Sequence, residues 1–271
     1  MNLPLSDLHM HTTYCDGKGS AEEMVLAAIA KGYHTVGLSG HSHTPFDTRY
    51  CMTEQGEYFT ECRRLKAKYA DRISVQIGLE LEALSEEIPV GLDYLIGSVH
   101  YFTEGDRRFD VDGSAEKQAL ALSFGFGGDL HRLIDNYFGS VVRMVERVRP
   151  DIVGHFDLIT KFSERGSIID PTDTYYRGAA LDALRAVLRI SPRLEVNSGA
   201  ISRGYRTEAY PSDELICEVL KEGGRLILTS DAHAPENIGF AFEAAAARLV
   251  SLGCDRVDVR RGDRFEEMKL V

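Results

Sequence analysis

Short apolar runs alternate with longer amphipathic ones along nearly the whole chain. Residues 3–8 are mostly apolar and of strand length. Residues 20–31 follow with Met24, Val25, Ala28 and Ile29 at helical spacing; Ser20 and Glu23 read as a capping box in front of them, and Gly32 ends the pattern. The same succession then repeats. Strand-like runs are predicted at 34–38, 73–79, 93–99, 151–154, 193–196 and 225–229, and helices at 54–69, 134–149, 174–189, 212–222 and 235–252. Two stretches interrupt it: residues 103–113 read as irregular, and Gly125-Phe126-Gly127-Gly128 breaks a helical region.

Seven strands in strand–helix order imply parallel pairing with helices outside the sheet, hence a barrel or a doubly wound sheet. No internal repeat, low-complexity segment or Pro/Gly-rich linker divides the chain, so residues 1–271 are expected to form a single α/β domain.

The formal net charge of −11 disfavours a long nucleic-acid backbone as partner but not a small anionic substrate, because bound divalent cations would reverse the potential locally. No run approaches the ~20 apolar residues of a membrane span, and the N-terminus carries no secretory leader pattern. Five cysteines without a CxxC pair argue against a disulfide framework or a zinc knuckle. The expectation is a cytoplasmic protein with no membrane partner.

The candidate chemistry sits where the strands end. His9 and His11 close the first run, His41 the second, Glu80 the third, His100 the fourth, His155 the fifth, and Asp231 with His233 the last. In a parallel barrel the carboxyl ends of different strands converge on one face, so these scattered positions become neighbours. His9-x-His11 and Asp231-x-His233 each place two side chains on one side of an extended segment, a spacing that lets both reach one ion. A lone histidine at a strand end is usually structural; a whole set in one register points to metal. His34 lies at the opposite end of its strand and reads as structural, and His131 as surface. His43, two residues after His41, is open between a supporting role, an acid catalyst and a loop position.

These segments resemble the ordered motifs of PHP-domain phosphoesterases: His9-x-His11 with Thr12 and Cys15-Asp16-Gly17, Gly40-His41, Gly78-Leu79-Glu80, Gly97-Ser98-Val99-His100, Gly154-His155-Phe156-Asp157 and Ser230-Asp231-Ala232-His233. Within that family, Ser98 to Phe102, His155 to Phe162 and Glu195-Val196-Asn197-Ser198-Gly199 with Arg203-Gly204-Tyr205 resemble the histidinol-phosphatase (HisK-type) branch. The resemblance implies a distorted (β/α)7 barrel of the PHP type holding two or three divalent ions. One ion would take His9, His11, Glu80 and Asp231; a second Glu80, His100 and His155; a third Asp16, His41 and His233. Relatives often carry a histidine near Asp16 and an acidic residue where Gly40 stands, so the third position departs from the pattern.

Mixed imidazole and carboxylate ligands suit Zn, Fe or Mn. The implied reaction is hydrolysis of L-histidinol phosphate to L-histidinol and phosphate, a hydroxide bridging the ions attacking phosphorus. Lys161, Arg203 and, more weakly, Arg206 are candidate phosphate binders. Besides ligand Asp231, catalytic candidates are Asp16 and His43, either of which could protonate the leaving group, as could a metal-bound water. Glu82 or Asp157 could meet the imidazole end of the substrate. The alternatives are a PHP phosphoesterase for nucleotides, short oligonucleotides or phosphotyrosine, and a non-catalytic metal-stabilised binding domain.

Overall fold

The structure, a computed structural model, describes residues 2–271. Its strands in chain order are β1 (Ser6–Asp7), β2 (Thr35–Leu38), β3 (Ser74–Glu82), β4 (Tyr94–Ser98), β5 (Tyr101–Glu104), β6 (Arg107–Asp110), β7 (Ile152–Val153), β8 (Arg193–Asn197), β9 (Arg225–Thr229), β10 (Arg256–Arg261) and β11 (Arg264–Lys269). The helices are α1 (Ala21–Ala30), α2 (Gln55–Lys68), α3 (Ala115–Leu120), α4 (Leu130–Val148), α5 (Thr174–Leu188), α6 (Gly199–Ser202), α7 (Asp213–Lys221) and α8 (Phe242–Ser251). The seven predicted strands, β1 to β4 and β7 to β9, lie side by side in chain order, each parallel to the next. This curled sheet is the distorted barrel expected from the sequence.

Closure is confined to the carboxyl end. Just past β1 and β9, Met10 and Ala232 form an isolated parallel bridge, with the His11 N–H donating to the Ala232 carbonyl at 2.8 Å. Nearer the other end, β10 takes the edge of β9 at Ile227 and folds back antiparallel onto β11. Residues 256–269 were not predicted as strands, although Arg256-Val257-Asp258-Val259-Arg260 alternates with the period of a strand and Gly262, at φ 60°, allows the turn.

Apolar faces explain the layers. Met24, Val25 and Ala28 of α1 and Tyr58, Cys62 and Leu65 of α2 pack on Val36, Leu38, Val75 and Ile77 of the first strands. The helix α4 buries Leu133, Tyr137, Val141 and Met144 in a larger cluster that takes in α5, α7 and α8. Inside the barrel, Leu8, Tyr94, Ile96, Ile152 and Ile227 form a small plug, with Phe265 of β11 packed against it.

The capping box at Ser20 and Glu23 is present as predicted. Other boundaries moved. The stretch 103–113 is ordered as most of the β5–β6 hairpin, whose turn uses Gly105 at φ 56°. The glycine run does break the helix: a π turn at Ala121–Gly125 ends α3, and α4 starts afresh with Asp129 as its cap. Residues 235–252 split into a short 3-10 turn, Pro235–Asn237, and α8. All five cysteines are free, and among the described residues no helix is long and apolar enough to cross a membrane.

Candidate active site

Backbone register assembles the site. The Met10–Ala232 bridge sets His9 and His11 beside Asp231 and His233, while the buried Met10 and Ala232 side chains turn into the apolar layer behind. A second bridge joins His41 to Glu80. Asp231 adopts φ 48°, rare for a residue with a side chain, at the turn that follows β9.

Glu80 is 1% exposed and divides the imidazoles between its two oxygens. Oε2 lies 3.3 Å from His9 Nε2, 3.6 Å from His11 Nε2 and 2.8 Å from His41 Nδ1. Oε1 lies 3.0 Å from His155 Nε2 and 3.5 Å from His100 Nε2. Asp231 Oδ1 is 3.1 Å from His11 Nε2 and 3.4 Å from His233 Nδ1. Asp16 Oδ2 stands 3.2 Å from His233 Nε2, and its Oδ1 3.7 Å from His41 Nε2. All nine predicted metal ligands therefore meet in one place.

Among the described residues, three candidate ligand sets have donor atoms within 4.8 Å of one another: His11, Asp16, His41 and His233; His9, His11 and Glu80; and His41, Glu80 and His100. Despite these short separations, the buried Nε2 atoms of His9 and His11 and Oε2 of Glu80 make no contact with the directionality of a hydrogen bond. Buried polar atoms are normally paired, so this convergence of unpartnered donors fits divalent cations. His11 and His41 each belong to two of the sets, which the ligand partition implied by the family resemblance did not anticipate.

Charge in the cluster is strongly coupled. Burial works against the imidazolium form of His9, yet Glu195, Glu80 and Asp231 raise its pKa well above the ordinary value. Against the same burial, Glu80 and Glu82 push His100 up to about 10. His11 is the opposite case: burial, with His233 and His41 beside it, brings it down to about 3. Burial alone would raise the carboxyls of Glu80, Asp231 and Asp16, but the neighbouring imidazoles, and Arg203 at Asp231, hold all three well below the carboxylate range.

The cluster floors a cavity of about 320 Å³, at the small end for ligand pockets. Its walls carry Lys161 and Arg203. Lys161 Nζ donates to the Asp112 carbonyl and carboxylate, each at 2.9 Å. Arg203 donates from Nη2 to Asp231 Oδ2 at 2.9 Å and from Nη1 towards His233 Nδ1 at 2.9 Å. Both candidate phosphate binders thus reach the site.

Other candidates do not. Arg206 is spent on the Thr160 carbonyl and hydroxyl and stacks 4.7 Å from the Tyr210 ring centre, away from the cavity. His43 turns Nδ1 to the Met52 carbonyl at 2.9 Å and lines no part of the cavity wall. Glu82 holds Nδ1 of His100 at 2.9 Å, and Asp157 accepts from Ser212 N–H; neither lines the cavity. His34 bonds Thr35 and His131 stacks on Tyr175, both outside the cluster.

Sequence reasoning missed the wall formed by Asp47, Tyr50, Tyr101 and Asp112. Tyr101 donates to Asp47 at 3.0 Å, and Phe46 lies between Tyr101 and the Arg108 guanidinium, so the loop after β2 is pinned to the β5–β6 hairpin. Asp112 belongs to the stretch read as irregular, which left no register from which to place it, and Tyr101 was visible only as part of the Ser98 to Phe102 motif. Glu195, behind His9, was visible only as part of a motif.

The PHP domain family matches residues 7–198 of the chain. A relative from Deinococcus radiodurans, named "Probable histidinol-phosphatase", is 31% identical over 274 residues, which cover 94% of this chain and 96% of the relative. The histidinol-phosphatase of Bacillus subtilis is 24% identical over 265 residues, covering 89% of this chain and 98% of its own. Among solved structures, the histidinol phosphate phosphatase of Lactococcus lactis, complexed with Zn, L-histidinol and phosphate, superposes with a TM-score of 0.69 at 20% identity, covering 96% of this chain and 98% of the other. At that identity the likeness bears on the fold.

Proposed function

The chain belongs to the PHP domain family, and from that premise we propose that it hydrolyses L-histidinol phosphate to L-histidinol and inorganic phosphate as a metal-dependent phosphomonoesterase. The observation that carries the reading is Glu80 between two groups of imidazoles, with unpartnered donor atoms facing one another beneath a small cavity. We read residues 1–271 as one such domain, working in the cytoplasm on a small phosphorylated substrate.

The ligand set suits two or three ions, with zinc the first choice because the Lactococcus lactis relative carries it. Bound there, divalent ions would supply an activated water and offset the negative charge of the phosphoryl group. The protein's part is to hold the ligands and place the ester. Arg203 is oriented by Asp231 and offers a planar guanidinium next to the cluster, a match for phosphate oxygens. Lys161, fixed by Asp112 at the wall, adds a second positive charge. Asp16 is held ionised by its imidazole neighbours and His43 lies outside the cavity, which disfavours both as proton donors to the leaving alkoxide. Lys161 and the unpartnered hydroxyl of Tyr50 are proton-bearing groups that do line the cavity.

The test is phosphate release by the metal-loaded protein from histidinol phosphate, set against nucleotides, phosphotyrosine and simple alkyl phosphates. A clear preference for histidinol phosphate is expected. Turnover of the others with none on histidinol phosphate would overturn the substrate assignment.

A further inference from the structure

Glu195 on β8 is completely buried and lines no part of the cavity, yet four donors converge on it. Its Oε2 accepts from Nδ1 of His9 at 2.8 Å and from the Thr229 hydroxyl at 2.9 Å. Its Oε1 accepts from the backbone N–H of His155 at 2.5 Å and from the Asn197 side-chain amide at 2.8 Å. His9 belongs to the group facing Oε2 of Glu80, and His155 to the group facing Oε1.

We propose that Glu195 is a positioning residue that fixes ligands on both sides of Glu80 at once, so that cations on the two sides depend on a single buried carboxylate. This rests on the metal centre of the proposed function. An ionised carboxylate has room for about four hydrogen bonds and can donate none, so Glu195 can accept from all four donors at once; of these only the Asn197 amide also reaches a second acceptor, Asp231 Oδ2 at 3.4 Å. Its bond to Nδ1 keeps the proton there and leaves Nε2 of His9 free to ligate. A glutamine of the same shape must turn its NH₂ towards either His9 and Thr229 or His155 and Asn197, setting donor against donor. Glu82 provides the contrast: its Oε2 accepts from both Nδ1 and the backbone N–H of His100, so it serves one side only.

Metal-free wild-type protein, Glu195→Gln and Glu82→Gln should be titrated with Zn²⁺ by calorimetry, with bound metal counted per chain and folding checked by circular dichroism. Glu195→Gln is expected to weaken every binding step by about 10- to 100-fold, and Glu82→Gln to weaken one step while leaving the rest as in wild type. A Glu195→Gln isotherm that matches wild type, or loses one step alone, overturns the inference while leaving the metal centre intact. Wild-type protein that takes up no divalent ion overturns both. If Glu195→Gln does not fold, ¹⁵N NMR of the Zn-loaded wild type reads the His9 half of the claim, without which the two-sided role fails: His9 should carry its proton on Nδ1 and ligate through Nε2. A proton on Nε2 overturns it.

Discussion

Among the described residues Glu80 is the one side chain that faces five of the imidazoles, so the proposed metal centre stands or falls with such single residues. His100→Ala is expected to reduce phosphate release by more than the ~100-fold typical of losing an outer hydrogen-bond partner of a ligand, with bound metal falling in parallel. Assay and metal count on the same preparation check it. The pH behaviour has a definite sign. In the metal-free protein His9 and His100 are raised, His100 to about 10, so both hold protons at neutral pH that a cation must displace. Metal affinity should therefore climb as pH rises from 6 to 8, by about tenfold per unit for each proton displaced. Calorimetry in buffers of different ionisation enthalpy reads the proton release directly; no release would mean that neither histidine is protonated. At this scale the sequence was informative, because candidate ligands at strand ends announce themselves by position. It ranked Arg206 below Lys161 and Arg203 without a physical ground, since all three are cations on nearby loops and only packing shows that Arg206 is committed to Thr160 and Tyr210.

Strand glycines decide how closely the barrel can close around its plug. A methyl group at Gly78 of β3 would come 2.2 Å from the Tyr94 ring, and one at Gly37 of β2 would come 2.1 Å from the Tyr94 hydroxyl. Gly78→Ala is accordingly expected to destabilise the fold by about 1–3 kcal/mol, as forced overpacking does. Gly178, on the exposed face of α5 with open space around it, should behave in the opposite way. Gly178→Ala is expected to stabilise by ~0.5–1 kcal/mol through helix propensity. Denaturant midpoints of the two variants test the pair, and equal shifts in one direction would contradict it. Elements with a long apolar period, such as α4, were readable in advance; the β5–β6 and β10–β11 hairpins were not. The latter consist largely of charged residues whose partners are one another, so their alternation carries little hydrophobic signal.

The apolar layers around the sheet are extensive and do not pass through the ligand cluster, which predicts how the whole molecule responds to losing its cations. Chelation should abolish activity while leaving the far-UV circular dichroism of the barrel in place, with Tm lowered because a ligand bound only by the native state is gone. Collapse of secondary structure on chelation would instead favour a metal-stabilised binding domain. By itself the sequence determined the strand–helix order, the parallel pairing and eight of the nine clustered candidate ligands, because periodicity is local and strand ends must converge on one face; the barrel and Asp16 entered through the family resemblance. Tertiary structure alone decided how those ligands divide about Glu80, that Glu195 and Glu82 stand behind them, and that Asp47, Tyr50, Tyr101 and Asp112 wall the cavity. Those relations join residues as far as 186 positions apart through side-chain direction, and nothing in a local pattern records which way a buried side chain turns.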